Sequence, residues 1–162
     1  MQVPVMSYGL LGGLAIALAV AAATDIRRRQ IDNWLNAGIA LCAPLFWVAQ
    51  GLTLAAIGWQ LAVTAIAFVV LAGLFAIRAM GGGDVKLLTA LALWIKPLWF
   101  LHLLAVMAVA GGALTLAMGL WHIARRQRDR LAVPYGIAIA VAGIWVLLAD
   151  YLPALQSGGK LG

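Results

Sequence analysis

Few side chains in this sequence of 162 residues can attack a carbonyl, hold a metal or move a proton: five aspartates and no glutamate, two histidines, one cysteine and two serines. Elimination removes most of them. His102 and His122 fall twenty residues apart on one expected helix, about 30 Å along its axis, so they cannot share a metal. Cys42 lies inside an apolar run, and one cysteine makes neither a disulfide nor a zinc cluster within a chain. Ser7 and Ser157 lie near the two chain ends with no basic partner in sight for a nucleophile. No metal site and no cofactor are expected. Asp129 stands within RRQRDR, where pairing with neighbouring arginines on a solvated loop accounts for it. Asp150 ends the last apolar run, a solvated helix end by default. Asp25, Asp32 and Asp84 remain. A carboxylate at a membrane-span centre costs about 2.5 to 3.5 kcal/mol, and less near the interface. Asp25 and Asp84 directly abut apolar runs, and Asp84 follows Gly81, Gly82 and Gly83 in AMGGGDVKLL. Either each caps a helix end at headgroup level, or the two are kept for a task that needs a base.

The elements that must position these acids are membrane helices. The composition is 65% hydrophobic and 10% charged, with a mean hydropathy of +1.05, outside the range of a soluble domain. Apolar runs are read at about 3–24, 34–50, 59–78, 85–96, 98–121 and 133–150. Backbone groups in hydrocarbon need internal partners, so the expected fold is an all-α integral membrane protein: a single bundle of six transmembrane helices forming one domain over 1–162. The first run lacks a basic region before it and is followed by arginines, so it reads as a retained helix and not a secretory signal.

Charge sets the expected orientation. Arg27, Arg28, Arg29, Arg78, Lys86, Arg125, Arg126, Arg128 and Arg130 are nine of the eleven basic residues, and all fall in alternate loops. The other loops hold Lys96 and Lys160. The positive-inside rule makes the odd-to-even loops cytoplasmic and puts both termini outside the cytoplasm. The net charge of +6 then reflects orientation and attraction to anionic lipid, with no nucleic-acid partner. Trp34, Trp121 and Tyr135 are expected at cytoplasmic ends and Trp47, Trp59, Trp94, Trp99 and Tyr151 at outer ends, as an interfacial belt.

TDIRRRQIDNWLN, followed some fifty residues later by GGGDVKLL, resembles the type IV prepilin peptidase family, membrane aspartic proteases of the GxGD type. In that family the first catalytic aspartate closes the first helix ahead of a basic stretch and an Ile-Pro-Asn segment, matched here by Asp25, Arg27 to Arg29 and Ile31-Asp32-Asn33. The second is the aspartate of GxGD, matched by Gly81 to Asp84, with Lys86 continuing the pattern. VPYGIAIAVAG is similar to the segment that opens the family's last helix. Asp32 replaces the usual proline, which implies a less rigid loop. The larger amino-terminal domain with paired CxxC motifs is missing, so the resemblance is to the short form that serves Flp-type tight-adherence pili, without N-methyltransferase activity.

The resemblance implies an aspartic endopeptidase of the bacterial inner membrane that removes the basic leader of prepilins or pseudopilins at the cytoplasmic face. Its catalytic pair would be Asp25 and Asp84. Gly81, Gly82 and Gly83 would give close backbone approach through positive φ, and Asp32, Asn33 and Lys86 would support. Prepilins or pseudopilins, the lipid bilayer and pilus assembly machinery are the expected partners. Asp25 at a helix end and Asp84 at a helix start suggest, through the dipoles of their own helices, that the shared proton rests on Asp25. Two other classes stay open from residues alone: a small proton-coupled transporter with relay aspartates, and a non-catalytic scaffold of pilus assembly.

Overall fold

The computed structural model of the chain describes residues 5–124 and 135–158, with side chains described over 6–121 and 135–150. Asp129, its arginines and Lys160 lie outside the described residues, as do the side chains of His122, Tyr151 and Ser157. Six helices follow in order: α1 Val5–Arg28, α2 Asn33–Ala49, α3 Leu54–Ala76, α4 Gly82–Ala92, α5 Pro97–Ala124 and α6 Tyr135–Gly158. The described residues contain no strand. Three stretches, Met6–Arg28, Leu54–Ala76 and Pro97–Trp121, are long and apolar enough to cross a bilayer. Asn33–Ala49 and Tyr135–Asp150 are shorter apolar helices. With 11 residues, α4 covers only about 16 Å.

Facing pairs give the topology. The Gly136 N–H reaches Asp25, and Gly143 lies against Leu18, so α6 runs antiparallel to α1. Trp99 meets Trp145 edge to face, and Gly111 lies against Tyr135, so α5 and α6 are antiparallel. Lys86 bonds Asn33, and the Trp94 indole N–H bonds the Ile39 carbonyl, so α2 and α4 run the same way. Gln60 reaches Ala92 while Phe75 lies against Gly82, so α3 returns antiparallel to α4. One end of the bundle therefore gathers Asp25, Asp84 and Gly136, and the other carries the Lys96–Asp150 ion pair.

The short helix sits at the centre. Leu87, Leu88 and Leu91 on α4 are fully buried, and α4 packs against α2, α3, α5 and α6. Ending a helix inside the bundle leaves its last carbonyls without intrahelical donors, a cost of several kcal/mol each in hydrocarbon. Side chains of the neighbouring helices supply the donors. Gln60 Nε2 donates to the Ala92 and Ile95 carbonyls at 2.6 and 2.7 Å, the Thr64 hydroxyl shares its proton between Ala92 at 3.0 Å and the Gln60 carbonyl of its own helix at 2.8 Å, and the Trp47 indole N–H donates to Leu93 at 2.8 Å. This corrects the aromatic-belt expectation for two tryptophans. Trp47 and Trp94 are buried, and each closes a backbone carbonyl of a neighbouring segment.

Candidate active site

Asp25 lies in the last turn of α1, which continues four residues past its expected end. Its backbone carbonyl accepts the Arg29 N–H at 2.8 Å, and Arg29 takes a left-handed φ of 52°, the turn that stops the helix and folds the chain back. The α3 exit has the same device. Arg78 has φ 60°, and the Ala79 N–H reaches back to the Leu74 carbonyl at 2.9 Å, a Schellman closure. Both turns point the following chain toward one place. Asp32 is then the N-cap of α2 and Gly81 the N-cap of α4.

A cavity of about 450 Å³ opens there. Asp25 and Asp84 both line it, together with Arg29, Asp32, Asn33 and the three glycines. Lys86 is not among its walls: it lies on the other side of α4's first turn, where its ammonium donates to Asn33 Oδ1 at 2.7 Å and ties the start of α4 to the start of α2.

The glycines serve a different purpose from the one expected. Gly81 has φ −72°, and Gly51 is the glycine with positive φ among the described residues, so no left-handed backbone is required in GGGD. What they supply is room. A Cβ on Gly81 would stand 2.9 Å from Asp84 Oδ2, one on Gly82 3.2 Å from the Phe75 ring, and one on Gly83 3.3 Å from Ile31 Cβ. The first contact arises because Asp84, third residue of its helix, turns back to accept the Gly81 backbone N–H, half of a capping box.

Asp25 is 7% exposed and its Oδ2 accepts the Gly136 N–H at 2.8 Å. That donor belongs to the first turn of α6, whose N–H groups have no intrahelical partner and whose dipole favours an anion. The contact depends on glycine: a Cβ at 136 would lie 2.7 Å from Oδ2 and 2.9 Å from Asp25 Cβ. Asp84 differs. Burial pushes its carboxyl up to about 6, the Asp25 charge adds to the rise, and the Gly81 hydrogen bond opposes it. Of the two acids Asp84 is the one held above the ordinary carboxylate range, although the dipole of its own helix would favour its ionised form. Asp25 thus meets the first turn of a helix remote in sequence.

Gly136, Gln60, Thr64 and Trp47 have roles here that sequence reasoning did not assign. Gln60 carried a signal, a carboxamide inside an apolar run, where an unpaired amide is costly. Nothing in the residue type of Gly136 pairs it with an aspartate 111 positions earlier.

A model of the type IV leader peptidase family matches residues 13–116, nearly two thirds of the chain and all three aspartates that line the cavity. No curated protein and no solved structure gives a significant match.

Proposed function

The chain belongs to the type IV leader peptidase family, a membrane leader-peptidase-like protease, and from that premise we propose that it is a two-aspartate endopeptidase cutting the basic leader from prepilins or pseudopilins. The observation that carries the aspartic mechanism is that Asp25 and Asp84, 59 positions apart in the sequence, line one cavity of about 450 Å³ at one end of the bundle and interact electrostatically.

The two acids divide the work by environment. Asp25, ionised against the Gly136 N–H, takes a proton from a water held between the pair. The resulting hydroxide attacks the scissile carbonyl carbon while protonated Asp84 donates a hydrogen bond to the carbonyl oxygen. Collapse of the tetrahedral intermediate breaks the C–N bond. The proton gained by Asp25 passes to the leaving amine, and Asp84 ends with its proton. The cavity shared by the acids, with Gly81 to Gly83 in its wall, would take an extended peptide across them.

Arg27, Arg28, Arg29, Arg78 and Lys86 cluster near the same end as the acids, which supports a cytoplasmic cavity in a bacterial inner membrane with both termini outside. Such a site would meet a substrate at the junction of its leader and its apolar helix. Pilus assembly machinery would be the wider partner, and Asp32 and Asn33 would shape the cavity wall.

Co-expression with a candidate prepilin, read as a size shift on a gel, tests the reading. Cleavage by the wild type and none by Asp25→Asn or Asp84→Asn, both still inserted in the membrane, is the expected result. Full cleavage by either variant overturns the dyad.

A further inference from the structure

A second cavity, of about 350 Å³, lies on the far side of α4 from the acids, between α2, α3 and α4. Its walls have two characters. Where α2 and α4 begin, Asn33, Asn36 and Lys86 line it; one to two turns further along, Ala37, Ala40, Phe68 and Leu93 do. It is polar where the helices start and apolar along their length.

Asn36 is the unexplained group. It is 5% exposed, and neither its amide oxygen nor its amide nitrogen has a hydrogen-bond partner. Buried polar atoms are almost always paired, since each orphan carries a desolvation cost with no compensation. The cavity beside it is where a partner can come from. Lys86 spends one ammonium proton on Asn33 Oδ1 and has two left, and the Asn33 and Asn36 amides add N–H donors. Thr89, also on the wall, spends its hydroxyl proton on the Val85 carbonyl. No acidic side chain lines the cavity. Its polar end is thus a cation with surplus donors, complementary to an anion, and the Asn36 oxygen is an acceptor for a hydroxyl. The apolar length beyond opens outward past Phe68, which is 49% exposed on a helix long and apolar enough to face lipid.

We infer that this cavity binds one anionic glycerophospholipid of the phosphatidylglycerol type, its phosphate on Lys86 and the two asparagine amides and an acyl chain along Ala37, Ala40, Phe68 and Leu93. A basic pocket between membrane helices at the headgroup level suits that chemistry, and an uncharged or zwitterionic head would leave the cation unmatched. Lipid there braces α4 from behind, two residues past Asp84, through the same Lys86 that ties α4 to α2. The inference uses neither aspartate and stands apart from the protease reading.

The test is native mass spectrometry of the purified protein in detergent, titrated with dioleoylphosphatidylglycerol or dioleoylphosphatidylcholine. One phosphatidylglycerol should be retained where phosphatidylcholine is lost. Lys86→Gln should weaken its retention about fivefold, the effect expected of one basic residue facing an anionic headgroup. Asn36→Leu should also weaken it, yet in lipid-free detergent should melt no lower than the wild type, because it removes an unpaired buried amide. Arg27→Gln, an exposed cation outside the cavity, should leave the retention unchanged. Equal retention of the two lipids overturns the site, as does an unchanged Lys86→Gln or an equal loss in Arg27→Gln. Should Asn36→Leu fold poorly, the Lys86 and Arg27 pair decides alone.

Discussion

The backbone N–H of Gly136, in the first turn of α6, donates to Asp25 Oδ2, in the last turn of α1, at 2.8 Å. α1 and α6 are thereby joined at the cavity, and the Asp25 carboxylate has a fixed backbone donor. Replacing Gly136 with Ala would place a methyl 2.7 Å from that oxygen and displace the carboxylate. A shift of about 1 Å in a catalytic group can cost on the order of a hundredfold in rate, so Gly136→Ala should lower leader cleavage by about that factor. Gly112→Ala, where a Cβ meets nothing within 4 Å, is the comparison and should cut normally. Cleavage rates for the two variants in one membrane preparation check this.

The pH dependence follows from Asp84, whose carboxyl burial and the Asp25 charge push up to about 6. The working state needs that proton, so cleavage should fall as pH rises through about 6, with the slope of a single ionisation. Stability has the same sign. The folded value lies above the ordinary 3.8, so the fold favours the protonated acid; that contribution is complete below about 3.8 and is lost as pH rises through about 6. Asp84→Asn should therefore gain in melting temperature relative to the wild type on going from about pH 5 to about pH 7.5. Thermal melts in detergent at the two values measure it, and an unchanged gap would contradict the assignment.

Asp32 stands where the family resemblance has proline, yet its φ is −64°, the value a proline ring imposes. The backbone here keeps the proline conformation without the proline. Asp32→Pro should be accepted, with cleavage retained and stability raised by about 0.4 to 1 kcal/mol through loss of unfolded-chain freedom. A melt combined with the cleavage assay tests both halves.

Gln60 closes two carbonyls at the buried end of α4. In Gln60→Leu the Ala92 carbonyl keeps Thr64, but the Ile95 carbonyl loses its side-chain donor. The expected cost is about 1 to 3 kcal/mol, seen as a lower melting temperature. Thr64→Val, which leaves Gln60 on both carbonyls, should cost less.

How much of this was legible beforehand differs from residue to residue. Helix class, the number of helices and the two candidate acids could be read from the chain, because hydrocarbon forces backbone hydrogen bonding into helices and makes a carboxylate beside an apolar run conspicuous. The shortness of the helix after GGGD was legible as well. The purpose of the glycines was read as φ freedom, whereas their packing against Asp84, Phe75 and Ile31 is a matter of clearance that depends on neighbours. Trp47 and Trp94 looked interfacial by position and are internal by contact.

Taken alone, the order of residues determined what the chain is made of: apolar helices, an acid at the end of one and an acid at the start of another, and basic loops on alternate turns. Only the tertiary structure decided that burial raises Asp84, what stops α4 within the bundle, and that Gly136 meets Asp25. The physical reason is range. Helix formation and membrane partition depend on residues within a turn or two of one another, while burial, Coulomb interaction and hydrogen-bond closure depend on whatever is nearest in space, and here that is a segment 59 or 111 positions away.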